Sequence, residues 1–441
     1  MITAEILTEL KAFFSENQMT DSGSDAQPYG NGGAITVFPN SEDEIASLLK
    51  YAYETNKKVN VIGGGTKRGF GGTEANADIL ISLENYKGIV EHVPGDMTLT
   101  VKPGTTFKEV QDYLLEFNQK IALDPFLPAH ATIGGIIASN DSGPKRLGYG
   151  SARDAVIGLR VVYPDGSVIR SGGKVVKNVA GYDMNKLFIG AMGTLGIISE
   201  VTLKLRPVPK HESLMLLKFS EEKIDDARKF AVYLLDTVIE PVALEMMNPS
   251  LSAKLLNERV YTLAIGFEDV ESSVKYQEDF VQKLQPSGTD LAILHQEEAI
   301  SFWNDFYGNV PNGAVHLADA PTEATLKIGT VNMNVIEILQ ECQLLQDSHN
   351  LLIEAHGGLG HGLSQAVLRG AKEDIVSAIY SLREKAAKLN GYVVVKHLPS
   401  ALREKANVWG EKQAYQFILE GIKSKVDPNR VLNPGRFVGG I

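Results

Sequence analysis

TIGGIIASNDSG, at residues 132–143, is the stretch that decides the fold, because its glycines and small side chains leave the main chain open to a ligand. Two similar segments follow it, LGYGSARDAVIGL at 147–159 and GAMGTLGIISEVTLKLRP at 190–207. A large cofactor needs such a surface, since backbone donors hold its phosphates and ring edges. The three segments together therefore indicate one extended ligand site.

A fourth glycine-rich stretch, GGGTKRGFGG at 63–72, directly follows the apolar strand VNVI at 59–62. Backbone N–H groups in such a loop can turn toward an anion. The stretch contains no Walker A sequence, and Arg68 occupies the third glycine position of a dinucleotide-binding fingerprint. Taken alone, the loop leaves open both a diphosphate site and a plain tight turn.

The distribution of glycine divides the chain into two unlike parts. Of 42 glycines, 22 lie in residues 61–200 and only 5 in residues 211–350. The alternation of VTLKLRP (201–207) predicts a half-buried strand, and Pro207 and Pro209 then end the pattern. We therefore place the main boundary near residue 210, with an α+β module of alternating strands and helices after it.

Charge, cysteine content and termini exclude several classes of protein. With 43 basic and 54 acidic residues the net charge is -11, which makes nucleic acid an unfavourable partner but leaves a small anionic substrate open. The single cysteine, Cys342, rules out a disulfide framework and fits a reducing cytosol. We expect neither a secretory signal nor a transmembrane helix, because no basic n-region or long apolar run is present.

Four blocks in order resemble the FAD-binding oxidoreductases of the vanillyl-alcohol-oxidase, or PCMH, type. They are 132–143, 149–173, 176–207 and DPNRVLNPGRF at 427–437. Within that family the chain is most similar to the flavoprotein subunits of bacterial glycolate oxidase and to D-lactate or D-2-hydroxyacid dehydrogenases. The resemblance implies an α+β fold: a PCMH-type FAD-binding domain of two α+β subdomains, followed by a ferredoxin-like α+β cap domain.

The resemblance also implies a division of the chain. An N-terminal helix would occupy 1–30, the FAD-binding PCMH-type domain 31–210, and the cap or substrate domain 211–425. The tail at 426–441 would return to the FAD domain.

By position, the resemblance assigns a set of residues to FAD. The set is Gly64, Gly65, Thr66, Pro128, Thr132, Gly134, Gly135, Ser139, Ser142, Gly143, Tyr149, Gly150, Asp154, Gly193, Gly196, Ile197 and Asn433. Some family members attach FAD through a histidine in the first loop or a cysteine in the second. Here the first loop has no histidine and Cys342 lies far from both loops, so we expect non-covalent FAD.

Oxidation of a 2-hydroxy acid needs a base, a cation for the carboxylate and a hydride acceptor. The related dehydrogenases carry H-x-G-D-G-x-x-H, and this chain has EAHGGLGHGLS at 354–364. His356 aligns, but Leu359 replaces the acid, Leu363 replaces the second histidine, and His361 comes two residues early. A later acid–histidine pair is also missing, because Lys396 stands there. We expect no metal, and His356 and His361 are the catalytic candidates, a plain loop role staying open.

Other charged residues and histidines carry weaker signals. Arg146 and Arg153 lie beside the cofactor segment and suit either an anion or an ordinary ion pair. No motif surrounds five further histidines, which we expect to be structural or surface residues: His92, His211, His295, His316 and His349.

The leading hypothesis is an FAD-dependent oxidoreductase that converts a small 2-hydroxy acid, such as glycolate or D-lactate, into the 2-oxo acid. The alternative is an FAD-binding structural or electron-relay subunit, since Met192 stands where catalytic subunits usually carry glutamate. Partners would then be a second flavoprotein subunit and an iron–sulfur subunit, in the cytoplasm or at the inner face of the membrane. A sugar, polyol or aldehyde substrate stays open, because cap domains set the substrate.

Overall fold

The computed structural model describes residues 2–22, 28–72, 76–174, 181–315 and 320–441. These residues form an α+β fold with three β-sheets of four, five and eight strands. His316 and the beginning of the 176–207 block lie outside the described residues.

The first sheet is built by the N-terminal part of the chain. Its strands are β1 Met19–Asp21, β2 Gly32–Val37, β3 Val59–Ile62 and β4 Asn76–Ser82, in the order β1-β2-β4-β3. Strands β2, β4 and β3 run parallel, and β1 pairs antiparallel with β2. The helices here are α1 Ile2–Leu10 and α2 Glu42–Thr55. The helix expected in 1–30 thus covers only residues 2–10, and the same range contributes the edge strand β1.

The second sheet is antiparallel and follows directly. Its strands are β5 Ile89–Val93, β6 Thr98–Val101, β8 Val156–Val162, β9 Val168–Gly172 and β10 Ile197–Lys204, in the order β5-β6-β10-β8-β9. Strands β7 Gln119–Lys120 and β11 Arg206–Pro207 form a small ribbon beside it. The helices are α3 Phe107–Leu115, α4 Ile133–Ser139, α5 Arg146–Tyr149, α6 Ala152–Ala155 and α7 Asn185–Phe188. In β10, Val201 and Leu203 are buried and Lys204 is exposed, as the alternating pattern predicts.

The third sheet contains eight antiparallel strands in the order β15-β12-β14-β13-β17-β18-β16-β19. They are β12 His211–Phe219, β13 Ala243–Met247, β14 Tyr261–Asp269, β15 Asp290–His295, β16 Thr322–Gly329, β17 Leu351–Gly358, β18 Leu363–Gly370 and β19 Tyr392–His397. The helices are α8 Ile224–Leu235, α9 Pro249–Leu256, α10 Glu271–Leu284, α11 Glu297–Gly308, α12 Val335–Ser348 and α13 Lys372–Lys388.

The two faces of this large sheet differ in chemistry. Side chains such as Leu244, Ala355 and Leu326 point to one face and pack with α8, α10, α12 and α13 in the largest apolar core. Because successive residues of a strand point to opposite faces, their neighbours Glu245 and Lys327 point the other way. The sheet thereby presents a polar row toward the glycine-rich part of the chain.

The C-terminal segment returns to the first sheet after helices α14 Ser400–Ala406 and α15 Gln416–Val426. The Val59 N–H donates to the Val431 carbonyl (2.7 Å), and the Asn433 N–H donates to the Val59 carbonyl (2.7 Å). These bonds extend the hydrogen bonding of β3 with the tail. They bring Asn433 beside the glycine loop that follows β3.

Candidate active site

The first glycine loop, residues 63–72, lies at the mouth of a groove at the carboxyl end of β3. The backbone N–H groups of residues 63–67 donate to no other residue that the structure describes. Gly65 adopts a φ of +70°, and a Cβ on Gly64 would lie 1.8 Å from the His130 carbonyl oxygen. A row of free N–H donors in a loop that excludes side chains fits a diphosphate.

The segment at 132–143 forms the opposite wall of the groove through helix α4. Thr132 caps this helix by accepting from the Gly135 N–H at 3.4 Å, and the Gly134 N–H donates to the Pro103 carbonyl at 2.9 Å. Gly135 and Ser139 line the groove one turn apart. The backbone of α4 can therefore approach a flat ligand closely.

Asn433 joins the remaining walls of the groove. Its Oδ1 accepts from the Val61 N–H at 3.0 Å, and its Nδ2 donates to the Met192 and Gly193 carbonyls at 3.2 and 3.0 Å. One side chain of the tail thus ties the end of β3 to the turn before β10. The walls of the groove come from four segments of the chain that are distant in sequence.

The structure groups most of the residues assigned to FAD. Eleven of them line this groove: Gly64, Gly65, Thr66, Thr132, Gly134, Gly135, Ser139, Gly193, Gly196, Ile197 and Asn433. Ser142 and Gly143 line an adjoining cavity, to which Ser139 also belongs.

Four assigned residues line neither space, and a role for them toward FAD stays a prediction. The Pro128 carbonyl accepts from the Lys108 N–H at 3.0 Å, and the Tyr149 hydroxyl bonds the Glu268 carboxylate at 2.5 Å. Gly150 adopts a φ of +81° at the end of α5, and Asp154 accepts from the Ser151 N–H at 2.8 Å.

The adjoining cavity has a volume of about 370 Å³, within the usual range for small-ligand sites. The polar face of the large sheet forms one side of it. Strand register places Met247, His356, Gln365, Lys327 and Val394 in one row across β13, β17, β18, β16 and β19. Ser139 and Met192 line both the groove and this cavity, so the two spaces adjoin.

His356 is paired with Glu245, a residue that the sequence motifs did not reveal. The His356 Nδ1 lies 2.6 Å from the Glu245 Oε1; the Glu245 side chain is buried and that of His356 is 12% exposed. The imidazole is wedged against Phe306 and Phe126, with ring centroids 4.6 and 5.9 Å away. Such a carboxylate–imidazole pair fixes the orientation of the ring and leaves Nε2 facing the cavity.

Burial controls the protonation of this pair. It raises the pKa of the Glu245 carboxyl well above its ordinary value. Burial, together with the nearby Lys396 ammonium, lowers the pKa of His356 to about 3. When Glu245 is protonated, its proton bonds the His356 Nδ1 and the neutral ring carries its own proton on Nε2. Loss of one proton from the pair leaves Glu245 ionised, the ring proton on Nδ1 bonded to Oε1, and the Nε2 lone pair free.

His361 differs from His356 in its hydrogen bonding, although the sequence motif did not distinguish the two. The His361 Nδ1 accepts from the Leu363 N–H at 3.2 Å, so the neutral ring carries its proton on Nε2. Burial, with the charge of Arg146 next, lowers the pKa of His361 to about 4 and keeps the ring neutral. The Nε2–H points toward the Glu245 Oε2, 3.9 Å away, and is available as a donor to a ligand.

Cations dominate the charge of the cavity. Lys396 and Lys67 both bind the Asp141 carboxylate, at 2.9 and 3.1 Å. Burial alone would raise the pKa of Asp141, but these two ammonium groups hold it well below its ordinary value. Arg146 and Lys327 form no ion pair with any acidic residue that the structure describes, and Arg146 bonds only the Ser142 hydroxyl (3.0 Å). The cavity therefore favours an anionic ligand.

Buried polar atoms without partners mark the same space. Within the described part of the chain they include Asn140 Oδ1, Glu245 Oε2, His356 Nε2, His361 Nε2, Ser364 Oγ and Trp409 Nε1, all from residues lining the cavity. Unpaired buried donors and acceptors are unfavourable unless a ligand or water satisfies them. The arrangement fits a small ligand with several oxygen atoms.

Sequence motifs missed Glu245 and Lys327, although a usable signal existed. Each is a lone charged residue within an apolar strand, in ALEMM (243–247) and TLKIG (325–329). Charged residues at inward-facing strand positions are rarely buried without function. Among the weaker candidates, Arg153 lies outside the cavity and donates to the Lys186 carbonyl at 3.1 Å, while Arg146 lines it.

Comparison with known proteins agrees with this geometry. Residues 33–172 match the family described as FAD binding domain. The chain is 26% identical to the mitochondrial D-lactate dehydrogenase [cytochrome] of Arabidopsis thaliana, covering 99% of this chain and 80% of that protein. It is also 26% identical to the glycolate oxidase subunit GlcD of Bacillus subtilis (strain 168), covering 99% and 97%.

Solved structures show the same fold at low sequence identity. The chain is similar to p-cresol methylhydroxylase with substrate bound, with a TM-score of 0.77, 16% identity, and coverage of 99% of this chain and 96% of that one. It is also similar to the carbohydrate oxidase from Microdochium nivale, with a TM-score of 0.71, 14% identity, and coverage of 94% and 95%.

Residues 33–172 are an FAD-binding domain, and the chain has the fold of p-cresol methylhydroxylase. The chain is an FAD-dependent oxidoreductase related to D-lactate dehydrogenases and to a glycolate oxidase subunit. Among the described residues, no helix has the length and apolar character that a membrane crossing requires.

Proposed function

We propose that the chain oxidises a small 2-hydroxy acid to the 2-oxo acid, with His356 as the base and FAD as the hydride acceptor. The observation that carries the proposal is the Glu245–His356 pair. It stands in a cation-rich cavity that adjoins the FAD groove.

His356 would take the proton of the substrate hydroxyl at Nε2. With Glu245 ionised, the Nδ1–H donates to Oε1, at the observed separation of 2.6 Å, and the Nε2 lone pair points into the cavity. The imidazolium that forms is then stabilised by the adjacent carboxylate. The rings of Phe306 and Phe126 keep water from the imidazole and hold it in place.

Arg146 and Lys327 would hold the substrate carboxylate, because both cations lack an acidic partner among the described residues. The His361 Nε2–H can donate to a third substrate oxygen. Lys396 is already engaged by Asp141 and Gln365, at 2.9 and 3.0 Å, so its charge contributes at a distance. Several fixed cations and donors orient the acid for transfer from C2.

When FAD is bound, its isoalloxazine supplies the acceptor for the C2 hydride. Residues 63–67 would hold the diphosphate through their free N–H groups. Ser139 and Met192, which line both spaces, would lie where the flavin meets the substrate. FAD would be held without a covalent bond, as the sequence predicts.

A second candidate function is electron relay within a larger complex. Tyr415, Phe417 and Ile418, at the start of α15, are exposed by 56%, 72% and 51%. Three neighbouring exposed apolar side chains favour contact with another protein. The partners would be a second flavoprotein subunit and an iron–sulfur subunit.

Anaerobic mixing of the FAD-loaded protein with glycolate, D-lactate and D-2-hydroxyglutarate tests the proposal. We expect at least one acid to bleach the flavin absorbance. If none bleaches the flavin of the isolated chain, and bleaching requires added partner subunits, the relay function replaces the catalytic one.

A further inference from the structure

Two buried arginines contact the first glycine loop: Arg403, which does not line the groove, and Arg436, which does. Arg403 of α14 is 1% exposed and donates to the carbonyls of Gly71 (2.7 Å) and Gly72 (2.9 Å). Arg436 of the tail is 6% exposed and donates to the carbonyls of Val61 (3.2 Å) and Lys67 (3.3 Å). Two segments that are distant from the loop in sequence, α14 and the tail, therefore hold it through hydrogen bonds to its carbonyl groups.

The two guanidinium groups are electrostatically unusual. Neither forms an ion pair with an acid in the described ranges of the chain. Burial, with the charge of a neighbouring arginine next, lowers the pKa of Arg403 and of Arg436 to about 10 each. A buried charge without a counter-ion is unfavourable, so an anion held close to the two guanidinium groups would stabilise them.

The polarity of the loop shows where that anion would lie. The Lys67, Gly71 and Gly72 carbonyls bond Arg403 or Arg436, whereas the free N–H groups of residues 63–67 lie along the groove, which Arg436 also lines. A diphosphate in the groove would meet the N–H groups directly and the positive charge of the two arginines. It would offset the repulsion between the two cations.

We propose that Arg403 and Arg436 are cofactor-positioning residues that make FAD binding and the docking of α14 and the tail one coupled event. By linkage, the free energy by which the docked segments strengthen FAD binding equals the free energy by which bound FAD stabilises their docking. The proposal rests on FAD binding alone and does not depend on the substrate.

The test uses the full chain freed of FAD, with Arg436→Met, Arg403→Met and Arg436→Lys. Flavin fluorescence gives the FAD dissociation constant, and hydrogen exchange of residues 400–406 and 430–437 is followed with and without FAD. We expect FAD to slow exchange in both segments of the unaltered chain. Each Met variant should weaken FAD binding by about 10-fold or more, consistent with loss of a charge-assisted interaction.

Arg228→Met is the control, since Arg228 of α8 also donates to a backbone carbonyl, that of Met333 at 3.0 Å, but bonds neither the loop nor α14. It should leave FAD affinity within about twofold. Arg436→Lys should recover part of the affinity, because it keeps the charge. Unchanged FAD affinity in both Met variants, or FAD protection of α14 that survives Arg403→Met, would overturn the proposal.

A second, independent cluster lies at the edge of the large sheet, and none of its residues lines the groove or the adjoining cavity. His211 begins β12, His295 ends the edge strand β15, and Glu278 projects from α10. The His295 Nε2 lies 2.9 Å from the Glu278 Oε1, and one ligand atom from each of the three residues lies within 4.8 Å of the others. Two imidazoles and one carboxylate are a donor set that zinc and related ions prefer.

The geometry points to a divalent transition-metal site in which an ion takes the place of the hydrogen bond between His295 and Glu278. The ion would join the edge strand β15 to α10 and leave at least one position for water. Because the site is remote from His356, it would act on stability and not on the reaction.

Titration with Co²⁺, followed by its visible absorption, and with Zn²⁺, followed by the melting temperature, tests this site. We expect a saturable cobalt spectrum and a higher melting temperature with zinc. Both effects should be lost in His295→Ala and His211→Ala, and kept in the control His349→Ala. No spectrum in the unaltered chain, or the same spectrum in His295→Ala, would refute the site.

Discussion

Lys327→Met is the most informative single change, because it should stabilise the fold while weakening substrate binding. Burial, together with the charges of Lys396 and Arg146, lowers the pKa of Lys327 from 10.5 to about 8. Each pKa unit corresponds to about 1.4 kcal/mol, so the charged lysine weakens the folded state by up to about 3 kcal/mol near neutral pH. Methionine fills similar space and removes that penalty.

The pH dependence of this stability change follows from proton linkage. The folded-state pKa of Lys327 is depressed, so the unfolded chain binds this proton more tightly than the folded chain. The destabilisation is complete below about pH 8 and disappears as pH rises to 10.5. The stability gained by Lys327→Met should therefore be large near neutral pH and small above pH 10.

Substrate binding should change in the opposite direction. A charge-assisted hydrogen bond to a carboxylate contributes about 1.5–3 kcal/mol. Loss of Lys327 should therefore raise the substrate concentration for half-maximal flavin reduction about 10- to 150-fold. Stopped-flow reduction gives that concentration, and urea unfolding at two pH values gives the stability.

Lys218→Met is a matched control on the same sheet, since Lys218 is paired with Glu258 at 2.6 Å and lies outside the cavity. It should lose at most about 1 kcal/mol of stability and leave the substrate dependence unchanged. If Lys327→Met instead lowers stability near neutral pH and leaves substrate binding intact, the assignment of this lysine is wrong.

Three further predictions concern the base, the groove and the absence of a metal in the reaction. Burial raises the pKa of Glu245, so the rate of flavin reduction should rise with pH. Glu245→Gln should flatten that pH profile and lower the rate about 10²-fold or more. A pH slope retained in this variant would show that the Glu245–His356 pair is not the base. Gly64→Ala should abolish FAD retention, because its Cβ would lie 1.8 Å from the His130 carbonyl, whereas Gly95→Ala, with open space around it, should retain flavin absorbance. Chelation with EDTA should leave flavin reduction unchanged, and inhibition reversed by a divalent ion would show that a metal takes part.

Most of the residues that the sequence predicts for FAD lie together in the structure, because the chemistry of a glycine loop is local. Gly64, Gly65 and their neighbours bring their own N–H donors, and short-range glycine patterns alone make those donors available. Eleven assigned residues indeed lie on one groove. Tyr149 and Asp154 do not line it, because a hydrogen bond to the distant Glu268 holds Tyr149 and a local capping bond from Ser151 holds Asp154.

The adjoining cavity depends on contacts between residues that are far apart in the sequence, and no local pattern predicts them. Glu245 and His356 are separated by 111 residues, and register between β13 and β17 brings them together. Lys327 lies in the same row, because both it and His356 pair with Gln365 of β18. Arg403 bonds the glycine loop from α14, which is distant from the loop in sequence. Strand register follows from the burial of the opposite, apolar face of the sheet. Local glycine patterns therefore predict the groove proposed for FAD, whereas packing of the large sheet decides which side chains line the adjoining cavity.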